Sequence, residues 1–339
     1  MTSPKKITAA KTEGTKKSLV QNAVCVAEKN LRNSPVFISL IIFTALLFFA
    51  VLFFNLLAGD PSLSKGLFIH GIANISNQFP LNITPAGWAF SIWGLIYLNQ
   101  FAWVLYNLAL ICRSTPNGPA YLNPIILSPA FLIFFSLSSA FNIGWLFLWD
   151  RILFMASFVF SACIALSLFL TLAIASVRLV MFKDNLVDQG RKNEVTFLQI
   201  AVVNGIGMYA TWASIATLIN LAVVLVYKWS HPILNENASV ISLGILTFLI
   251  IVYIGLDMTV LDQYTRYTYS PYVTVVWALS AIIAKNYDQS NISSIMAVVL
   301  LGSVSLAGLI KVALTCYRSR RINYQYRQMR RGRPANTDN

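Results

Sequence analysis

The sequence predicts an all-α polytopic membrane protein with eight transmembrane helices. Of its 339 residues, 57% are hydrophobic and only 11% are charged, and the mean hydropathy is +0.66. A soluble domain carries about 25% charged residues, so this chain lacks the charge to cover a water-facing surface and its exterior must face lipid. The spans are expected to be helices because lipid offers no partners to the backbone groups of an open strand.

Eight apolar stretches are candidates for these helices, since a crossing needs about 20 apolar residues. They are residues 36–58, 86–112, 125–149, 152–181, 196–227, 239–261, 271–284 and 294–316. The seventh meets the length requirement least well, and it begins at a proline.

The distribution of Lys and Arg predicts the orientation of these spans. Seven of the 25 basic residues lie in the tail 1–35 and seven in the tail 317–339, whereas only Lys65, Arg151, Lys228 and Lys285 fall on the opposite side. Loops on the cytosolic side carry an excess of Lys and Arg. Both tails are therefore expected to be cytosolic, where they would bind anionic lipids.

Four glycosylation sequons support the same topology. Asn74, Asn82, Asn237 and Asn291 each begin an Asn-x-Ser/Thr sequence, and all four fall on the exterior in the eight-span arrangement. We expect a eukaryotic protein of the plasma membrane or another secretory-pathway membrane.

The net charge of +13 does not predict nucleic-acid binding, because the positive charge is concentrated in the tails and one internal loop. The sequence also has no recognisable catalytic or metal-binding pattern. Its only histidines, His70 and His231, lie in predicted exterior loops, and no phosphate loop or nucleophile elbow occurs. We therefore expect no enzyme, no metal and no nucleic-acid partner.

Aromatic and amide side chains recur at helical spacing inside three spans. The sequence Pro85-x-x-Trp88-x-Phe90-x-x-Trp93-x-x-x-Tyr97 opens the second span, Asn142-x-x-Trp145 ends the third, and Trp212-x-x-x-Ala216-x-x-x-Asn220 lies in the fifth. Residues three or four apart share a helix face, so each motif forms a stripe.

These three motifs resemble those of the translocator protein / tryptophan-rich sensory protein family, in the same spans and order. The resemblance covers residues 36–227 and implies a five-helix bundle over these residues, followed by three additional spans in residues 228–316. It also implies a pocket for hydrophobic ligands such as sterols or tetrapyrroles. Carried over by motif, the pocket is lined by Trp93, Tyr97, Asn142, Trp145, Trp212, Ala216 and Asn220.

The same residue types also have a purely structural interpretation. Trp88, Trp149 and Trp229 lie at span ends, where tryptophan anchors a helix at the membrane surface. The deeper aromatic and Asn side chains are expected either to pack helices or to line a ligand pocket. Asp150 and Arg151 are expected to form a solvated exterior turn.

Two charges lie within predicted spans. Asp257 and Lys311 fall at similar depth and are expected to pair, either as a structural ion pair or as part of an ion pathway. The functional prediction is a membrane protein that binds or transports a hydrophobic ligand in an aromatic pocket, with no other cofactor expected. The alternative is an ion channel, with anions favoured, formed by the bundle or by an oligomer of this chain.

Overall fold

The computed structural model describes residues 35–331, so the N-terminal tail up to residue 34 and residues 332–339 lie outside it. The α-helices are α1 (Pro35–Gly59), α2 (Ile72–Gln78), α3 (Ile92–Ile111), α4 (Pro129–Asp150), α5 (Phe154–Asp188), α6 (Lys192–Phe197), α7 (Gly205–Tyr227), α8 (Asn235–Met258), α9 (Asp262–Thr265), α10 (Ser270–Asn286) and α11 (Ile292–Arg331). A π-helix, Leu198–Asn204, joins α6 to α7 without a break, and short 3₁₀ helices occur at Pro61–Ser64, Gly87–Ser91 and Ala120–Leu122. The strands are Ser114–Thr115 and Gly118–Pro119, which pair antiparallel.

Seven helical segments of the described chain are long and apolar enough to cross a membrane. They are α1, α3 with its preceding 3₁₀ turn, α4, α5, the continuous α6–π–α7 segment, α8 and α11. Large apolar side chains on these helices, such as Phe43 and Phe53, are more than half exposed. Such a surface is suited to lipid rather than to water. The chain is therefore an all-α polytopic membrane protein.

The inter-helix connections meet at two opposite faces of the bundle. The first, called here the sequon face, contains residues 60–86, 151–153, 228–234 and 287–291, and Asn82 N donates to Asn235 Oδ1 across it at 3.0 Å. The second, called the terminal face, contains residues 112–128, 189–191 and 259–269 together with the start of α1. Here Arg191 Nη1 donates to Asn123 O at 2.6 Å.

Helix α10 is the short seventh span, and it runs from one face to the other. At the terminal face, Tyr269 N just before the helix donates to Asn204 Oδ1 at 2.8 Å. At the sequon face, Asn286 Nδ2 at the end of the helix donates to Thr84 O at 2.7 Å. Its 17 residues give a length of about 25 Å at 1.5 Å per residue. It therefore runs through the bundle beside the seven helices that are long and apolar enough to cross a membrane, although it is shorter than they are.

Asp150 corrects the expectation of a solvated turn. The residue ends α4 and is only 3% exposed. Its carboxylate accepts hydrogen bonds from His70 N at 2.7 Å and Ile69 N at 2.9 Å, and it pairs with Arg151. Because a buried carboxylate needs such partners, Asp150 fixes the chain that follows α1 onto the end of α4.

Some predicted boundaries also change. Helix α4 begins only at Pro129, because Ser128 caps it by accepting a hydrogen bond from Phe131 N at 3.4 Å. Helices α5 and α11 continue beyond the predicted spans, to Asp188 and Arg331. The π-helix was not predicted; in it Asn204 Nδ2 donates to Gln199 O, five residues earlier, at 2.8 Å.

Candidate functional site

A cavity of about 300 Å³ lies inside the bundle, near the sequon face. Its walls come from α1, α3, α4 and α7, and α2 covers it on the side of the sequon face. The residues that line it are Asn55, Gly59, Ile72, Ala73, Ser76, Phe79, Thr84, Pro85, Phe90, Trp93, Tyr97, Trp145, Trp149, Trp212, Ile215, Ala216, Ile219, Asn220 and Val223. All of them belong to the first five spans and their connections.

Two aromatic groups contribute to the walls of this cavity. In the first, Trp93 stacks on Tyr97 with ring centroids 5.4 Å apart, and Trp212 meets Trp93 edge-on at 6.4 Å. In the second, Trp145 stacks on Trp149 at 5.6 Å. Offset-stacked and edge-to-face contacts are the favoured geometries of aromatic pairs. The rings therefore hold one another in place and present flat apolar surfaces.

Asn220 lines the cavity and also joins three helices. Its Oδ1 accepts hydrogen bonds from Ser157 Oγ at 2.9 Å and from Trp145 Nε1 at 3.4 Å, and its Nδ2 donates to Ala216 O at 2.8 Å. The side chain is 3% exposed. Asn220 thus fixes the position of Trp145 through its own hydrogen bonds.

Asn142 is not among the residues that line the cavity. Its Oδ1 accepts a hydrogen bond from Asn55 Nδ2 at 2.8 Å, and Asn55 is the lining residue. Asn55 Nδ2 also donates to Val51 O at 2.8 Å. The third-span amide therefore lies behind the cavity wall and positions Asn55.

The cavity offers hydrogen-bond donors but no charge. Trp93 and Trp212, which line the cavity, each carry an indole N–H donor, and the buried hydroxyl of Tyr97 has no hydrogen-bond partner within the described part of the chain. No Asp, Glu, Lys, Arg or His of residues 35–321 lines the cavity. Because an isolated buried charge is costly, the chemistry of these walls suits a neutral, flat molecule that carries a hydrogen-bond acceptor.

The cavity lining differs from the sequence prediction at Trp149, which was assigned another role, and at Asn55, which was not predicted. Trp149 was expected to anchor the helix at the membrane surface, but it is 5% exposed and lines the cavity. It follows Trp145 by one helical turn, so the shared face was visible in the sequence. Asn55 is the only Asn within the first span, and a polar residue in an apolar span is itself a signal of function.

The two charges predicted within spans lie in contact, away from this cavity. Lys311 Nζ lies 2.9 Å from Asp257 Oδ1, and their side chains are 1% and 0% exposed. Tyr272 OH donates to the other carboxylate oxygen, Asp257 Oδ2, at 2.6 Å. Together these contacts connect α8, α10 and α11 near the terminal face.

The four sequon asparagines all lie on the sequon face, but they differ in accessibility. Asn74 on α2 and Asn237 in the first turn of α8 are exposed. Asn82 Nδ2 donates to Glu236 Oε2 at 2.6 Å, and Asn291 Nδ2 donates to Asp288 Oδ2 at 3.0 Å. A glycan on Asn82 would have to displace its hydrogen bond to Glu236.

Comparison with known protein families places these observations in context. The chain matches the model of a family described as TSPO-like protein over residues 38–312, a stretch that includes the three spans after the fifth as well as the first five. Comparisons with curated proteins and with solved structures gave no match. The match covers most of the chain, from α1 into α11, and the chain therefore belongs to the TSPO-like protein family.

Proposed function

We propose that the chain binds, and carries within the membrane, a neutral and flat hydrophobic molecule in the aromatic cavity. The observation that supports this most strongly is that two aromatic groups, Trp93–Tyr97–Trp212 and Trp145–Trp149, line a space with no charged lining residue in the described chain. Small-molecule sites are concave, mostly apolar and equipped with a few placed polar groups, and this cavity meets each of those conditions.

Size and polarity favour the sterol class over the tetrapyrrole class. The volume of about 300 Å³ lies at the lower end of the range of about 300–1,000 Å³ for ligand pockets. Natural tetrapyrroles of the porphyrin type carry carboxylates, and the described walls have no cation to pair with them. A hydroxyl or carbonyl oxygen of a neutral ligand would instead accept a hydrogen bond from Trp93, Trp212 or Tyr97.

The channel alternative lacks comparable support. An anion pathway requires an unpaired positive charge or oriented donors along a pore, but Lys311 is paired with Asp257 and almost completely buried. The proposal is a non-enzymatic binding protein, and new ionic currents in patch-clamped cells that express the chain would favour the channel instead.

Ligand-induced stabilisation tests the proposal directly. A ligand that binds only the folded protein raises the melting temperature in a concentration-dependent way. We expect cholesterol to raise the melting temperature of the purified protein, and protoporphyrin dimethyl ester, which is neutral, to raise it more than the free diacid. Stabilisation by the diacid alone would contradict the assignment of a neutral ligand, and no stabilisation by any of the three would contradict the proposed function.

A further inference from the structure

A second and larger cavity lies at the terminal face, on the opposite side of the bundle from the aromatic one. It has a volume of about 760 Å³ and is bounded by α5, α6, the π-helix, α9 and the start of the connection to α10. We call it the terminal groove. It shares no residue with the aromatic cavity, and the proposed function does not involve it.

Hydrogen bonds between the π-helix and the connection from α9 to α10 hold one side of the terminal groove in place. Asn204 Nδ2 donates to Tyr267 O at 2.9 Å, and Gln199 Nε2 donates to the same oxygen at 3.2 Å. Asn204 Oδ1 accepts from Tyr269 N and Ser270 N. Because of these hydrogen bonds, this side of the groove has a defined structure. π-Helical turns within α-helices also occur frequently at functional sites.

The lining of the terminal groove is positively charged and has no described carboxylate. Lys183 and Arg266 line it. Arg266 is paired with Asp262, but that carboxylate is shared with Arg318, so the trio keeps a net positive charge. Lys183 has no ion-pair partner among the described residues, and Asp184, next to it in the chain, does not line the groove.

Nearby acidic and polar groups do not cancel this charge. Glu194 precedes the lining residue Val195, but its carboxylate is held by Arg113 and Arg191 at 2.9 and 2.8 Å. Tyr264, Tyr267 and Ser319 add hydroxyl groups to the lining. Cations together with several neutral hydroxyl groups match the oxygens of a phosphate ester.

One side of the terminal groove is apolar and partly exposed. Leu179, Val180, Val195 and Ile200 line it, and Ile200 on the π-helix is 59% exposed. Lys183 follows Leu179 by one helical turn, about 6 Å further along α5. The lining of the groove thus changes from apolar to cationic within about 6 Å along α5. This distance is similar to the one between the start of an acyl chain and the phosphate of the same lipid.

We propose that the terminal groove binds an anionic phospholipid, with the phosphate at Lys183 and Arg266 and an acyl chain along Val180 and Ile200. The lipid belongs to the leaflet on the terminal face. Lys183 lies on α5 and Arg266 directly follows α9, so both cations belong to the folded bundle, whereas Ser319 lies at the start of the predicted C-terminal tail.

Native mass spectrometry of the full-length protein with defined lipids tests the site. Phosphatidylserine is expected to bind more tightly than phosphatidylcholine with the same acyl chains. Lys183→Gln should weaken phosphatidylserine binding about fivefold, since one basic residue near an anionic lipid surface contributes about 1 kcal/mol. Lys183→Arg keeps the charge and should bind like the wild type. Lys192→Gln, at an exposed lysine outside the groove, is the matched control and should have no effect.

Photo-crosslinking with a photoactivatable phosphatidylserine then locates the lipid. Crosslinks are expected on peptides that contain residues 179–183, 195–204 or 263–269. The proposal is wrong if the label maps only to residues 1–34 or 322–339, if Lys183→Gln and Lys192→Gln weaken binding equally, or if phosphatidylcholine binds as tightly as phosphatidylserine. Full competition by soluble glycerophosphoserine would indicate a site for a free phosphate ester and would also overturn it.

Discussion

Lys311 Nζ on α11 and Asp257 Oδ1 on α8 are 2.9 Å apart, and 1% and 0% of the two side chains are exposed. Removal of one partner from a buried ion pair leaves an uncompensated charge and costs about 3–5 kcal/mol. We therefore expect Asp257→Asn and Lys311→Met each to lower the melting temperature of the purified protein strongly.

The double variant Asp257→Leu/Lys311→Met is expected to be more stable than either single variant, because two apolar side chains replace the pair without an orphaned charge. Ser303→Ala, at an exposed position on α11, serves as the control. Thermal unfolding followed by size-exclusion chromatography measures all four variants. Single variants as stable as the wild type would show that the pair is not formed.

Trp212→Phe tests the indole N–H as a ligand contact. The substitution keeps an aromatic ring beside Trp93 but removes the indole N–H donor. Loss of one neutral hydrogen bond costs about 0.5–1.5 kcal/mol, so a ligand with a hydroxyl or carbonyl acceptor should bind about 2- to 13-fold more weakly. A hydrocarbon of the same skeleton should be affected less. Trp229→Phe, at a half-exposed tryptophan outside the cavity, should leave both affinities unchanged.

Asp262 should make the terminal face sensitive to acid. Partial burial raises the pKa of its carboxyl, but hydrogen bonds from Arg266 and Arg318 outweigh that effect and hold the pKa below its ordinary value. A group whose pKa is depressed on folding stabilises the protein above its unfolded pKa of about 3.9 and loses that contribution as the pH falls through the folded pKa.

Asp262→Asn should remove this pH dependence, which is on the order of 1 kcal/mol or less for partly exposed pairs. The measurement compares melting temperatures of both proteins at pH 7 and at pH 3. The wild type is expected to be the more stable protein at pH 7, and the difference should shrink at pH 3. A difference that stays constant between the two pH values would contradict the assigned ion pairs.

Accessibility predicts which sequons carry glycans. Asn74 is exposed on α2, whereas the Asn82 amide is engaged with Glu236 at 2.6 Å. In a eukaryotic host, Asn74→Gln should remove much of the mass that glycosidase releases, and Asn82→Gln should remove little. An equal loss from both variants would mean that Asn82 is free of Glu236 when the glycan is added.

Seven of the eight predicted spans correspond to helices long and apolar enough to cross a membrane, because the bilayer fixes the length and composition of a crossing helix. The short α10 could not be assigned on that basis alone. It crosses through contacts that sequence does not reveal, such as the hydrogen bond from Trp277 Nε1 to Ala89 O at 3.0 Å. These contacts pack α10 against the rest of the bundle, so the helix does not depend on a long apolar surface in contact with lipid.

The sequence predicted only part of the aromatic cavity, because it indicates shared helix faces but not how the helices pack. Spacing places Trp93 and Tyr97, or Trp212 and Ala216, on one helix face, and these four residues all line the cavity. The spacing of residues within one helix does not show how far each side chain lies from a neighbouring helix or from the surface of the bundle. Asn142 therefore lies behind Asn55, and Trp149 lies inside the bundle instead of at its surface.

The π-helix was unpredictable from local preference. Its wide turn includes the bond between Asn204 Nδ2 and Gln199 O, but Asn204 Oδ1 is fixed by Tyr269 and Ser270, more than sixty residues later in the chain. These partners are distant in the chain, so the residues near 198–204 do not by themselves indicate a π-helix, which is rare. The terminal groove depends on the same contacts and was equally invisible in the sequence.

The most direct test of the ligand site is to fill it. Ala216 lines the aromatic cavity on α7, and Ala216→Phe would occupy the space without removing an aromatic wall. Ala173→Phe adds the same group to an exposed position on α5. Equilibrium binding of a fluorescent neutral sterol to the purified proteins is the measurement. The wild type and Ala173→Phe should bind with the same Kd, and Ala216→Phe should lose binding; equal binding by all three would contradict the cavity as the site.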